Sequence, residues 1–188
     1  MKPLILVKHS LPEIAENVPS RAWKLSGEGR ARAYKLAEML KSYQPEIIVS
    51  SVEPKARETA AILAENLGLD FQTFDNLHEH DRSKSQYLSK DEFQARVQDL
   101  FEKPDALVFG SETANEALAR FRAAVEAVQK LWEDKTVVIV AHGTVISLYV
   151  AWMTGCDGYR LWRELGLPSF MVLDIKSKTI EHIIHRER

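Results

Sequence analysis

Residues 4–10 read Leu-Ile-Leu-Val-Lys-His-Ser, and residues 137–144 read Val-Val-Ile-Val-Ala-His-Gly-Thr. Each stretch is a continuous apolar run that breaks into a polar cluster containing a histidine. Runs without period-two alternation fit strands buried on both faces of a parallel sheet. A third run, Ile47-Ile48-Val49, ends in Ser50-Ser51. In an open α/β sheet, ligands bind at the carboxyl ends of the strands, which is where these polar clusters fall.

Working outward, helical patterns separate the strands. Ala33, Leu36, Ala37, Leu40 and Tyr43 make one apolar stripe, and Leu118, Phe121, Val125, Val128 and Leu131 make a longer one. Thr113 with Glu116, and Ser89 with Glu92, fit capping boxes that start helices. Pro54 opens a helical pattern over residues 55–67 that Gly68 closes, the proline-first, glycine-last asymmetry. The runs 170–175 and 179–184, split by Lys176-Ser177-Lys178, predict a closing hairpin at one sheet edge. The polar, unpatterned stretch 78–86 reads as a long loop, and long loops in compact domains tend to be functional.

The chain has 188 residues, which fits a single domain over 1–188. Hydrophobic residues make up 45%, charged residues 28%, and the net charge is -2, so no broad positive field favours nucleic acid or an anionic membrane. Met1 to Val7 is apolar but too short for a secretory signal, and no run approaches membrane-spanning length. Cys156 is the one cysteine. An intrachain disulfide is excluded, a cytoplasmic location is expected, and Cys156 reads as buried filler. The oligomeric state is left open, a homodimer being one arrangement the sequence allows.

Taken alone, His9 or His142 reads as a satisfied histidine at a strand end. Together, with Lys8, Lys55 and Glu79, they suggest a common site. LVKHS at 6–10 resembles the Leu-Val-Arg-His-Gly signature of the histidine phosphatase (phosphoglycerate-mutase-like) superfamily. SSVEPKARETAAIL at 50–63 is similar to that family's Ser-Ser-Pro-Leu-x-Arg-Ala-x-x-Thr-Ala segment, LHE at 77–79 to its Leu-x-Glu, and VVIVAHGTVI at 137–146 to its Val-x-Val-x-His-Gly strand end. The motifs occur in the family's order. The resemblance implies a three-layer α/β/α fold with a mostly parallel central sheet and one antiparallel edge strand.

It also implies an activity: a metal-independent phosphomonoesterase that forms phosphohistidine on His9 and uses no cofactor. His142 would stabilise the phosphoryl oxygens, and Glu79 would serve as general acid and base with a raised pKa. Lys8, Lys55 and Gly143 would bind phosphate, with Ser10, Arg21, His80, Arg82 and Thr144 as candidate substrate contacts. The partner would be a small phosphorylated metabolite or phosphoprotein, with inorganic phosphate as product.

Lys8 and Lys55 stand where the family has arginine, and Ser10 where it has glycine. An ammonium is a point charge without the planar fork of a guanidinium. Arg57, two residues along a helix from Lys55, points elsewhere, whereas Arg21 and Arg82 lie in loops able to supply the missing fork. Two alternatives stay in view: a phosphoglycerate-mutase-type phosphotransferase, which the resemblance also allows, and, on these departures, a catalytically degenerate protein that only binds a phosphorylated ligand. His78, His80 and Asp81 around Glu79 raise a metal site, but alternation in an extended segment splits the histidines from Glu79, and no metal is expected.

Overall fold

The computed structural model describes residues 2–83 and 88–185. Its strands are β1 (Leu4–Lys8), β2 (Ile47–Ser50), β3 (Phe71–Thr73), β4 (Val137–Ala141), β5 (Ser169–Asp174) and β6 (Thr179–His185). They form a six-stranded sheet in the order β3-β2-β4-β1-β5-β6. β1 to β4 run parallel, β5 lies antiparallel beside β1, and β6 closes the edge by pairing antiparallel with β5. The three apolar runs are the inner strands β1, β4 and β2, and the hairpin lies at the edge as expected.

The absence of alternation in those runs has its cause in the layers around them. Leu4, Leu6, Val49, Val137 and Ile139 face a cluster built with α4 (Ala114–Leu131), α5 (Gly143–Thr154), Leu100 of α3 (Lys90–Glu102) and Leu161 of α6 (Gly158–Glu164). Ile5, Val7, Ile48, Val138 and Val140 face the opposite way, onto α1 (Gly27–Leu40) and α2 (Pro54–Leu67). Both faces are dry, so successive residues are all apolar, and each buried Val, Leu or Ile contributes roughly 1.5–3 kcal/mol. The result is a three-layer α/β/α sandwich.

Helix ends follow the sequence signals. Ser89 and Thr113 both close capping boxes, and α2 starts on Pro54 and ends at left-handed Gly68. Two readings need correction, and one strand went unread. β3 was not foreseen, because it has three residues and only Phe71 is half-buried. The buried face of α4 uses Ala114, Ala117 and Ala124 beside Phe121, Val125 and Val128, while Leu131 is 62% exposed. Cys156 is exposed, because α5 stops at Thr154 and Cys156 follows the left-handed Gly155 in the connecting turn. Residues 78–83 carry no helix or strand, in keeping with a loop, and 84–86 of the expected loop lie outside the described residues. No helix among the described residues is long and apolar enough to cross a membrane.

Candidate active site

β1 and β4 are adjacent and parallel, with Lys8 opposite Ala141. His9 and His142 therefore leave neighbouring strand tips side by side. The His9 amide donates to Ala141 O at 3.0 Å, and the two rings meet edge to face with centroids 5.1 Å apart. Both are buried. His9 Nδ1 is 2.7 Å from Ser10 O. A carbonyl only accepts, so the ring proton sits on Nδ1 and Nε2 keeps a free lone pair. Burial, then the repulsion that protons on both His9 and His142 would meet, then the charge of Lys55, hold His9 well below the ordinary histidine pKa against the Ser10 hydrogen bond, so the ring is neutral at pH 7.

His142 is fixed by a short relay. Ser51 Oγ accepts from the Glu53 amide at 3.3 Å and lies in hydrogen-bond contact with His142 Nε2 at 2.8 Å, which fixes the ring's orientation. Its Nδ1 is buried and without a hydrogen-bond partner among the described residues. Burial and Lys55 lower the His142 pKa well below normal, with Glu79 acting the other way. The pair thus offers an unprotonated nitrogen of His9 beside an unengaged nitrogen of His142.

Three cations surround them. Lys8 Nζ donates to Leu165 O at 2.9 Å and lies over the start of α5, where a Cβ on Gly143 would come within 3.0 Å of Lys8 Cε. Burial brings the Lys8 pKa down to about 8. Lys55 Nζ donates to Glu53 Oε2 and Ser20 O, each at 2.6 Å. Arg82 donates to Thr144 Oγ1 at 3.1 Å, sits 3.3 Å from Glu79 Oε2, and stacks its guanidinium 4.5 Å from the centre of the Phe93 ring. Of the two loop arginines, Arg82 joins the cluster. Arg21 is exposed, on a short turn at Ser20–Ala22, and acts on Asp81 through its charge. Arg57 is exposed, as its helical angle requires.

Glu79 caps the N-terminus of α5. Its carboxylate accepts from the amides of Thr144 at 3.2 Å, Val145 at 3.3 Å and His80 at 2.9 Å. Burial pushes its pKa up, but the charge of Arg82 and the amides of His80 and Thr144 outweigh burial and hold it well below the usual carboxylate range. The expected raised pKa is therefore corrected: helix-terminal amides and a guanidinium stabilise the anion.

Two other candidates are engaged elsewhere. Ser10 Oγ donates to Gly29 O at 2.6 Å, and its amide donates to Thr59 Oγ1 at 3.0 Å, tying β1 to α1 and α2. His80 Nε2 donates to Glu112 O at 2.8 Å, with its ring packed on Phe109 at 4.9 Å. Among the described residues, no group of three or more His, Cys, Asp and Glu side chains is placed to hold a metal ion.

Sequence reasoning missed three residues. Glu53, 7% exposed, pairs with Lys55, accepts from the Glu79 amide at 2.9 Å and approaches His142 Nε2 to 3.7 Å. Arg120 of α4 donates to the carbonyls of Asn76, His78 and Glu79 and to both oxygens of Glu112. Glu112 in turn accepts from the Asp81 amide at 2.7 Å. The Glu79 peptide is thus gripped through its N–H by Glu53 and through its C=O by Arg120. An acidic residue two before Lys55, where the resembling motif has leucine, was the available signal for Glu53.

A solved mycobacterial glucosyl-3-phosphoglycerate phosphatase in complex with inorganic phosphate superposes with a TM-score of 0.75 at 25% identity, covering 98% of this chain and 96% of that one. The fold is shared with phosphoserine phosphatase from Entamoeba histolytica, solved with 3-phosphoglyceric acid, at a TM-score of 0.79 and 18% identity over 100% of this chain and 98% of that one. In sequence, the chain is 29% identical over 133 residues to "Uncharacterized phosphatase PhoE" of Bacillus subtilis (strain 168), a match spanning 71% of this chain and 66% of that protein. The family model for the histidine phosphatase superfamily (branch 1) matches residues 4–183, and the chain belongs to that superfamily.

Proposed function

We propose that this member of the superfamily is a metal-independent phosphomonoesterase acting on a small phosphorylated metabolite through phospho-His9. The observation that carries the reading is the fixed tautomer of His9, whose Nδ1–H is held by Ser10 O and whose Nε2 is left free beside His142. Nε2 attacks phosphorus, forming the P–N bond as the P–O bond to the leaving group breaks. His142 Nδ1–H donates to a non-bridging oxygen, while Lys8, Lys55 and Arg82 offset the phosphoryl charge.

Glu79 gives a proton to the leaving oxygen and later takes one from the water that attacks phosphorus and breaks the P–N bond. Its ionised resting state fits this sequence of events. An arriving phosphoryl dianion repels the carboxylate and raises its pKa, so substrate itself drives Glu79 toward the acid form. The relatives' names support a phosphorylated small molecule as substrate, one of them being solved with inorganic phosphate.

The test is to mix the protein with an aryl phosphate in the presence of chelator, quench in alkali, and look for acid-labile phosphate on the chain. Wild type should carry it and turn over, and His9→Ala should do neither. Phosphate binding without phosphoenzyme or turnover in wild type would instead mark a protein that only binds its ligand.

A further inference from the structure

Glu53 is placed where its charge matters most. It is the residue before α2, yet its side chain makes no capping bond to that helix. The carboxylate enters the site instead, 2.6 Å from Lys55 Nζ and 3.7 Å from His142 Nε2. Both members of the Glu53–Lys55 pair are under 10% exposed, so water and salt screen the charge weakly.

Counting charges shows what this does. Lys8, Lys55 and Arg82 face Glu53 and Glu79, with both histidines neutral. Once Glu79 takes a proton as general acid, the excess positive charge equals that of a phosphoryl dianion. Without Glu53 the site would be over-charged and would retain the product anion.

We propose that Glu53 is a built-in counter-anion of the phosphate pocket: by pairing with Lys55 inside the site it limits the affinity for orthophosphate and so lets the product leave. This rests on the proposed seating of the phosphoryl group between His9 and His142. It explains a departure that the resemblance leaves unexplained, an acidic residue at a leucine position. It also gives Lys55 a reason to be lysine, since its ammonium has three donors and two are already taken by Glu53 and Ser20.

The experiment compares competitive inhibition by orthophosphate of aryl phosphate turnover at pH 6.5 in wild type, Glu53→Gln and Glu53→Asp. Glutamine keeps the shape and an accepting oxygen but loses the charge. Its inhibition constant should fall by about tenfold, as expected for removing one like charge a few ångströms away at intermediate screening, with KM falling alongside kcat. Aspartate keeps the charge and should stay within about twofold of wild type. A merely structural role gives the opposite sign, with a damaged pocket holding phosphate more weakly in both variants.

Should Glu53→Gln not fold, Glu53→Leu supplies the same loss of charge with an apolar filling. A folded charge-free variant with unchanged or weaker inhibition overturns the role of Glu53. If wild type neither turns over aryl phosphate nor is inhibited by orthophosphate, the phosphatase reading itself falls, and the two failures are told apart by wild type alone.

Discussion

The imidazoles of His9 and His142 sit 5.1 Å apart at an interplanar angle of 63°. Neither ring is held by the other. His9 is fixed by its own strand through Ser10 O, and His142 by Ser51 at the tip of the strand on its far side, β2. The pair is thus assembled by three parallel strands, and each ring keeps one nitrogen for chemistry.

His142→Ala removes a donor while leaving the nucleophile intact. Turnover of an aryl phosphate should drop by roughly a hundredfold, the usual effect of deleting one oxyanion donor. Phosphoenzyme should still form in a slow single turnover. If His142→Ala loses phosphoenzyme as completely as His9→Ala, the assignment of separate roles fails.

Glu79→Gln should discriminate among leaving groups. Alkyl phosphates need a proton on the departing oxygen and should lose roughly 10² to 10⁴ in kcat. A dinitrophenyl ester leaves as a stable anion and should lose far less in the phosphorylation step. Equal losses on both substrates, followed through the burst of released phenolate, would falsify Glu79 as general acid.

Lys8 gives the pocket an alkaline limit that arginine would not. Its ammonium titrates near pH 8 in the free protein, burial being the main cause. A bound phosphoryl anion favours the charged form, so binding below about pH 8 meets a ready ammonium, whereas above it each binding event must take up a proton. KM should therefore rise above pH 8, by up to about tenfold per pH unit. Lys8→Arg should flatten that limb. An identical profile in the variant assigns the limb to another group.

Arg120 should matter for stability as well as for kcat. Arg120→Met leaves Glu112 without its cation and three loop carbonyls without a donor. We expect a loss of roughly 3 kcal/mol in urea unfolding. Arg120→Lys should recover only part of it, because an ammonium lacks the fork that spans Glu112 and the carbonyls. A change below about 0.5 kcal/mol in Arg120→Met, the usual range for a surface substitution, would mean the loop is held by other contacts.

The buried strands, the caps and the paired histidines at the strand tips were legible because each is written locally. A continuous apolar run, a Ser-x-x-Glu start and a histidine after a strand carry their meaning within a few residues. Strand order was not, since nothing in residues 137–141 states that they lie beside 4–8. Glu53 and Arg120 were missed for a related reason. Each is a charged residue in or beside a helix, where a solvated face is the ordinary reading, and each is instead drawn in, Glu53 buried and Arg120 half-buried, by partners 26 and 41 positions away along the chain at Glu79. The Glu79 pKa was misjudged because the role of general acid asks for a raised value, while the Arg82 guanidinium and the Thr144 amide that favour the anion were not placed against it. Cys156 was misread by extending the apolar pattern of α5 past the glycine that ends it.

The register that sets Lys8 against Ala141 also works as a molecular ruler. Because neighbouring strand residues point to opposite faces, inserting or deleting one residue within β1 or β4 would send one imidazole to the wrong side of the sheet while the sandwich went on burying Val, Ile and Leu much as before. Such a variant would be a well-folded but inert protein. Length changes in these two strands should accordingly be tolerated far less by activity than by folding.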